Sequence, residues 1–164
     1  MTLTLWRSVA RAHADGAFRG DGAARFPGRY NGPGVRAVYL ADCPAGCGLE
    51  LLATYAAPEA VMTHVLIEVE VTAPLVDLRR PRTLERYGVT TADLVRPGDY
   101  EAPRRLGGRL LSERRPGAIA PAATVARAFN VVVYPDVWDR FVVRARVPLA
   151  LDDRLLRLVG AERR

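Results

Sequence analysis

The chain has 164 residues, 49% of them hydrophobic and 26% charged, which is the balance of one soluble globular domain. No apolar run approaches the ~20 residues that a membrane-spanning helix needs, and the N-terminus lacks the apolar segment of a signal peptide. We therefore expect one domain over residues 1–164, located in the cytoplasm of a prokaryotic-type cell and not bound to a membrane.

The basic residues are all arginines: there are 24 of them, and the net charge is +6. A codon bias towards GC-rich DNA explains this composition most simply. Two alternatives are a surface that binds nucleic acid and a surface that docks an acidic partner or a phosphorylated ligand. The arginines cluster at 79–82 and 104–115, but no nucleic-acid-binding motif accompanies them.

Hydrophobic patterning predicts short strands that alternate with helices and loops. A strand-like run over 3–13 precedes an ordered loop, rich in glycine and proline, over 14–34. Further strands are predicted at 35–41, 61–71, 117–122, 129–135 and 139–149. Helices are predicted at 43–56, 90–95 and 102–114, and a short terminal helix or turn is predicted at 151–160. This order of elements predicts a single mixed α+β domain.

The segment around the start of the first predicted helix contains both cysteines. Asp42 is the predicted N-cap of the helix over 43–56, with Pro44 at its first position. Cys43 and Cys47 lack the further ligands that a closed zinc site needs, so we expect two small buried side chains and no metal.

Three side chains within residues 26–50 point to a ligand site. Arg29 in the loop offers a donor fork that matches phosphate, and Tyr39 offers a ring face and a hydroxyl. Glu50 offers a carboxylate that binds ribose hydroxyls and stabilises positive charge at a sugar C1. Together they suit cleavage of an N-glycosidic bond in a dinucleotide, although each residue alone has an ordinary structural explanation.

The order of these segments resembles the RES-domain family, the toxin halves of bacterial RES–Xre type II toxin–antitoxin pairs. The resemblance covers almost the whole chain. It rests on LWR (5–7), GAARFPGRYNGPGVRAVYLADCPAGCGLELL (22–52), HVLIEVEV (64–71), GAIAPA (117–122), FNVVVYP (129–135) and RFVVRARVPLALDDRLL (140–156).

This resemblance implies an ADP-ribosyltransferase-like fold with a small split mixed β-sheet, flanking helices and NAD+ in a central cleft. It implies a toxin that depletes NAD+ as a glycohydrolase or phosphorylase, with NAD+ as substrate and no prosthetic group. The implied partner is an Xre-type helix-turn-helix antitoxin, through which nucleic acid is contacted indirectly, and we expect a homodimer within a larger complex. The alternatives are an ADP-ribosyltransferase acting on a protein, a non-catalytic nucleic-acid-binding module, and a structural subunit with a vestigial pocket.

The resemblance also implies roles for individual side chains. Arg29 would bind the phosphate or ribose side of NAD+, Tyr39 would stack near nicotinamide, and Glu50 would orient the nicotinamide ribose. Further predicted contacts with NAD+ come from Tyr30, which replaces the family's usual Trp, and from Asn31 and Asn130.

The two histidines are weaker candidates. His64 begins a strand, and we expect it to be exposed. His13 follows the first strand, close to the expected cleft. We predict neither as a catalytic base.

One family position does not match. The family is named for an Arg, a Glu and a Ser; Arg29 and Glu50 match the first two, but Ala122 stands where the family has Ser. The chain is then a natural variant in which Thr124 or Ser112 supplies the hydroxyl, a weakened or inactive homologue, or an engineered inactive Ser-to-Ala form. We favour the engineered form, because the surrounding strand matches the family and an active toxin would kill its expression host.

Overall fold

A computed structural model describes residues 1–54 and 61–156 as a seven-stranded mixed sheet with short helices packed against it. The strands are β1 (Thr2–Ala10), β2 (Val38–Ala41), β3 (His64–Thr72), β4 (Val76–Asp77), β5 (Gly117–Pro121), β6 (Phe129–Val133) and β7 (Phe141–Pro148). A 3-10 helix (Arg11–Gly16) precedes α1 (Asp21–Arg25), α2 (Pro44–Thr54), α3 (Pro81–Tyr87), α4 (Thr91–Val95) and α5 (Glu101–Ser112).

The sheet is almost divided in the middle. Its strand order is β4-β5-β6-β2-β1-β3-β7, and every neighbouring pair is antiparallel except β4 and β5. β1 pairs with β3 from Thr2 to Ala10 but meets β2 only where Trp6 faces Ala41. The predicted α+β fold with a split mixed sheet is therefore confirmed.

Three apolar clusters hold the layers together. Helices α3, α4 and α5 cover β5 and β6 through the first cluster, which contains Leu84, Leu94, Leu106, Leu110 and Val132. The second cluster covers the other side of the central strands, and a third joins α2 to β1 and β3 through residues that include Cys47, Leu52 and Leu66. Burial of these faces supplies the main stabilisation of the sheet.

The predicted N-cap of α2 is wrong. The helix begins at Pro44, as expected, so Cys43 is the residue that flanks it, and Cys43 Sγ accepts the Gly46 N–H at 3.4 Å. The Asp42 carboxylate instead accepts the Phe129 N–H at 3.2 Å, and so it ties the end of β2 to β6.

The expected exposure of His64 is also wrong, since its side chain is only 4% exposed. β3 lies between β1 and β7, and His64 pairs with Ala10 while its carbonyl accepts the Leu149 N–H. A position that looks like a strand end in the sequence is thus covered by both neighbours.

The described part of the chain stops short of two predicted helix ends. The helix predicted over 43–56 is observed up to Thr54, and positions 55–56 lie outside the described residues. The short terminal helix or turn predicted over 151–160 is helical at 153–156, and positions 157–160 likewise lie outside them. In the described ranges no helix is long and apolar enough to cross a membrane.

Helix α5 packs closely on the loop that carries Arg29. A Cβ on Gly107 would lie 2.0 Å from the Tyr30 carbonyl oxygen, which also accepts the Tyr134 hydroxyl at 2.9 Å. Only a residue without a side chain fits this approach, whereas a Cβ on the adjacent Gly108 would meet nothing within 4 Å.

These two glycines make a matched test of the packing. Gly107→Ala forces α5 and the loop apart, and we expect it to lower the free energy of unfolding by about 2 kcal/mol. Gly108→Ala replaces an open helix glycine and should raise it by about 0.5–1 kcal/mol. Urea unfolding measures both. Equal effects of the two substitutions would contradict the close approach.

Candidate functional site

A cleft opens where β1 and β2 diverge. This main cleft has a volume of about 490 Å³, within the ~300–1,000 Å³ range of small-molecule sites. Both strands, α2, the loop at 26–29 and Tyr100 line it. A small chamber of about 110 Å³ adjoins it towards β5 and β6. Arg29, Tyr39, Glu50 and Asn130 line both spaces, so the structure brings together four of the predicted site residues.

Glu50 is fixed by two donors from the far half of the sheet. Asn130 Nδ2 donates to Glu50 Oε1 at 2.9 Å, and Thr124 Oγ1 donates to the same oxygen at 3.0 Å. Glu50 Oε2 accepts no hydrogen bond from the described residues. One carboxylate oxygen is therefore anchored and the other is available to a ligand in the cleft.

Tyr39 presents its ring to the cleft while its hydroxyl holds the neighbouring loop. The hydroxyl donates to Asn31 Oδ1 at 2.7 Å and accepts the Tyr30 N–H at 2.9 Å. A Cβ on Gly28 would lie 2.7 Å from the Tyr39 hydroxyl oxygen, so the loop lies directly against the ring. Burial raises the pKa of Tyr39 well above its usual range, which keeps the hydroxyl protonated as a donor.

Arg29 is oriented by residues that the sequence did not single out. Its guanidinium lies 4.6 Å from the centre of the Tyr100 ring, and its Nη1 donates to the Arg96 carbonyl at 3.0 Å. Arg104 lies 5.2 Å from the centre of the same ring and donates to the Gly28 carbonyl at 3.1 Å. Cation–π contacts and loop carbonyls thus hold Arg29 at the cleft.

Arg7 is a further residue that sequence reasoning did not identify as part of the site. Its Nη1 crosses the gap between the diverging strands and donates to the Tyr39 carbonyl at 2.8 Å. Burial lowers the pKa of Arg7 to about 10. The only sequence signal for it was the LWR match at 5–7.

The predicted ligand contact at Asn31 is wrong. Its side chain is 1% exposed, and Nδ2 donates to the carbonyls of Ala23 and Val35 at 2.8 and 2.9 Å. Oδ1 accepts from Gly28 N–H and from Tyr39. Because the loop itself uses both ends of this amide, Asn31 serves the fold of the loop and has no free group for a ligand.

Tyr30 lies at the boundary between the candidate site and the apolar core. It lines the small chamber, but its side chain belongs to the core against α5. Its hydroxyl is buried without a hydrogen-bond partner in the described chain, and burial raises the pKa of that hydroxyl. The predicted contact between Tyr30 and a ligand stays a prediction.

The position of the expected serine lies beside the site. Ala122 is 8% exposed, and its N–H donates to the Ala128 carbonyl at 3.0 Å, while its neighbours Pro121 and Ala123 line the small chamber. Of the two candidate replacements, Thr124 reaches Glu50. Ser112 does not substitute, because its hydroxyl donates to the Arg109 carbonyl within α5.

The cysteine thiols do not offer a reactive nucleophile or a metal site at the cleft among the described residues. Cys47 is buried, as predicted, and burial raises the pKa of its thiol to about 12, so the reactive thiolate is disfavoured. Cys43 is half-buried. Among the described residues, no group of three or more His, Cys, Asp and Glu side chains is arranged to hold a metal ion.

The two asparagines give a test that separates scaffold from site. Asn31→Ala removes the hydrogen-bonding centre of the loop, and we expect it to lower the free energy of unfolding by about 3 kcal/mol. Asn130→Ala removes one part-buried donor to Glu50 and should cost less than about 1 kcal/mol. Chemical denaturation compares them. A similar small cost for both would contradict the scaffold role of Asn31.

Comparison with known proteins identifies a family and a solved structure that this chain resembles. The RES domain family model matches residues 4–152. A chain in the crystal structure of the M. tuberculosis MbcT–MbcA toxin–antitoxin complex superposes with a TM-score of 0.75 at 27% sequence identity. The alignment covers 98% of this chain and 90% of that one. No curated protein matches. Since the family model spans nearly the whole chain, the protein belongs to the RES domain family.

Proposed function

We propose that this protein is the toxin of a toxin–antitoxin pair and that it cleaves NAD+ between nicotinamide and ribose. The anchored carboxylate of Glu50, held by Asn130 and Thr124 beside an arginine and a tyrosine in one cleft, is the observation that carries the proposal. Family membership and the likeness to MbcT along most of both chains support it.

The two cavities suggest how the substrate would be placed. The small chamber has the size of a single ring, and Tyr39 lines it, so we assign it to nicotinamide. The ribose attached to that ring then lies beside Glu50, whose Oε2 accepts a ribose hydroxyl. Arg29 lies at the same junction and faces the ribose and the adjoining phosphate.

The chemistry follows from this placement. The bond between ribose C1 and the nicotinamide nitrogen breaks, and its electron pair neutralises the pyridinium ring as nicotinamide leaves. Positive charge then develops on C1 and the ring oxygen, where the fixed Glu50 carboxylate stabilises it without reorganising. An oxygen of water or inorganic phosphate bonds to C1, and an attacking water gives up one proton to the solvent in that step.

The position of Thr124 bears on the missing serine. A hydroxyl two residues beyond Ala122 already contacts the proposed catalytic carboxylate. This favours a natural variant in which Thr124 supplies the hydroxyl, rather than an engineered or inactive form.

The alternative functions receive less support. In the arginine clusters, Arg79 and Arg80 pair with Asp77, and Arg109 pairs with Glu113, so these charges are partly neutralised. Transfer of ADP-ribose to a protein would follow the same cleavage step and would differ only in the group that attacks ribose C1.

For the partner we propose an antitoxin of the Xre helix-turn-helix type that covers the cleft. The homodimer stays a prediction.

The proposed role of Glu50 is tested by its amide. Glu50→Gln keeps the shape of the side chain and an oxygen that can accept from Asn130 and Thr124, but it removes the negative charge. We expect nicotinamide release from NAD+ by purified protein to fall by about 100-fold or more. Glu85→Gln, an exposed carboxylate on α3, is the matched control and should leave the rate unchanged. Wild-type activity in Glu50→Gln would refute the mechanism.

Thr124 has its own test. Thr124→Val keeps the shape but removes the hydroxyl, and we expect a fall in kcat/KM for NAD+ of about 10-fold or more. Thr124→Ser restores the hydroxyl and should stay close to the parent. Ala122→Ser serves as the comparison. If Ala122→Ser strongly raises activity while Thr124→Val has no effect, the reaction uses a hydroxyl at position 122, and Thr124 does not compensate for its absence.

A further inference from the structure

A third cavity, here called the arginine chamber, lies beside the main cleft. It has a volume of about 650 Å³ and is formed by β1, the 3-10 helix and α1. Arg7, Ser8, Phe26 and Leu51 line both this chamber and the main cleft. An extended ligand can therefore reach from Glu50 into the arginine chamber without leaving the protein surface.

The lining of this chamber carries more positive than negative side chains. Three arginines line it, Arg7, Arg19 and Arg25, and among the described residues Asp21 is the one acidic residue of its lining. The side chains of Arg19 and Arg25 form no hydrogen bond or ion pair with the described residues, unlike the paired arginines on α3 and α5. Two unpaired guanidinium groups around one concave space match phosphate oxygens in charge and geometry.

Two buried donors at the junction lack partners as well. Arg7 Nε and Ser8 Oγ are buried without a hydrogen-bond partner in the described chain. Most buried polar groups in proteins are hydrogen-bonded, and an unpaired one costs free energy. Both residues line the passage between the two cavities, so a ligand with acceptor oxygens at this point would satisfy them.

The same passage has an exposed aromatic ring. Phe26 is 81% exposed, although it is a large apolar side chain in an otherwise well-packed loop. Its position at the boundary of both cavities offers a ring face to a planar base.

We infer that the arginine chamber is a nucleoside diphosphate site. It takes the half of a dinucleotide distant from the cleaved bond, with the phosphates near Arg7, Arg19 and Arg25 and the base against Phe26. The inference rests on the proposed function for the identity of the dinucleotide. Its binding chemistry stands on the charges and unpaired donors described above.

The charge arm of the test measures binding of ADP to the purified protein by calorimetry. The double variant Arg19→Ser/Arg25→Ser should bind ADP at least about 10-fold more weakly than the parent. The matched control Arg82→Ser/Arg140→Ser removes the same net charge from exposed arginines away from the chamber and should bind ADP normally. An equal loss in both double variants would show a nonspecific charge effect and overturn the site.

The steric arm uses two helix glycines that have open space where a side chain would begin. A Cβ on Gly22, which lines the chamber, would meet nothing within 4 Å, and the same is true of Gly108 on α5. Gly22→Leu should fill part of the chamber and weaken ADP binding, while Gly108→Leu should not. Unchanged ADP affinity in Gly22→Leu would overturn the assignment.

Glu50→Gln separates this inference from the proposed function. ADP does not need the proposed catalytic carboxylate, so Glu50→Gln should bind ADP like the parent. If the parent binds ADP through the arginine chamber but releases no nicotinamide from NAD+, the proposed function fails and the site stands. If the parent cleaves NAD+ but substitutions at Arg19, Arg25 and Gly22 leave the ADP affinity unchanged, the assigned site is wrong and the proposed function stands.

Discussion

The divergence of β1 from β2 is the constraint on which the rest of the structure depends. Neighbouring antiparallel strands normally satisfy their backbone groups along a full ladder, yet these two meet only at Trp6 and Ala41. The Arg7 guanidinium fills part of the gap by donating to the Tyr39 carbonyl. An opening in the middle of a sheet is thereby stabilised, and side chains from both halves can face one ligand there.

The loop before β2 turns this opening into a defined site. Asn31 fixes the loop from inside, while Arg104 holds its carbonyls from outside. Gly107 lets α5 approach close enough for the Tyr134 hydroxyl to reach the Tyr30 carbonyl. Because these contacts immobilise the backbone on both sides of Arg29, its guanidinium is positioned before any ligand arrives, which reduces the entropy lost on binding.

Local patterns in the sequence predicted much of the fold, and chemistry predicted part of the site. Alternation identified β3, whereas Arg29 and Glu50 were ambiguous as single residues and became site candidates through the resemblance of their segments to a known family. Asn31 and Arg7 were misjudged or missed because their roles depend on partners brought together only by the folded chain. Burial of His64 likewise follows from two neighbouring strands, which its own segment does not encode.

Thr124 gives Glu50 a hydroxyl donor in a chain that has Ala122 at the family's serine position. The hydrogen bond to Glu50 Oε1 depends on the distance and direction of the donor and not on its position in the sequence. Thr124 lies in an exposed loop, where water competes for the same oxygen, so its bond is weaker than one from a buried residue would be. The part-buried amide of Asn130 then contributes more of the orientation of the carboxylate. The position of the Glu50 carboxylate therefore depends mainly on this second donor from β6, across the divided sheet from α2.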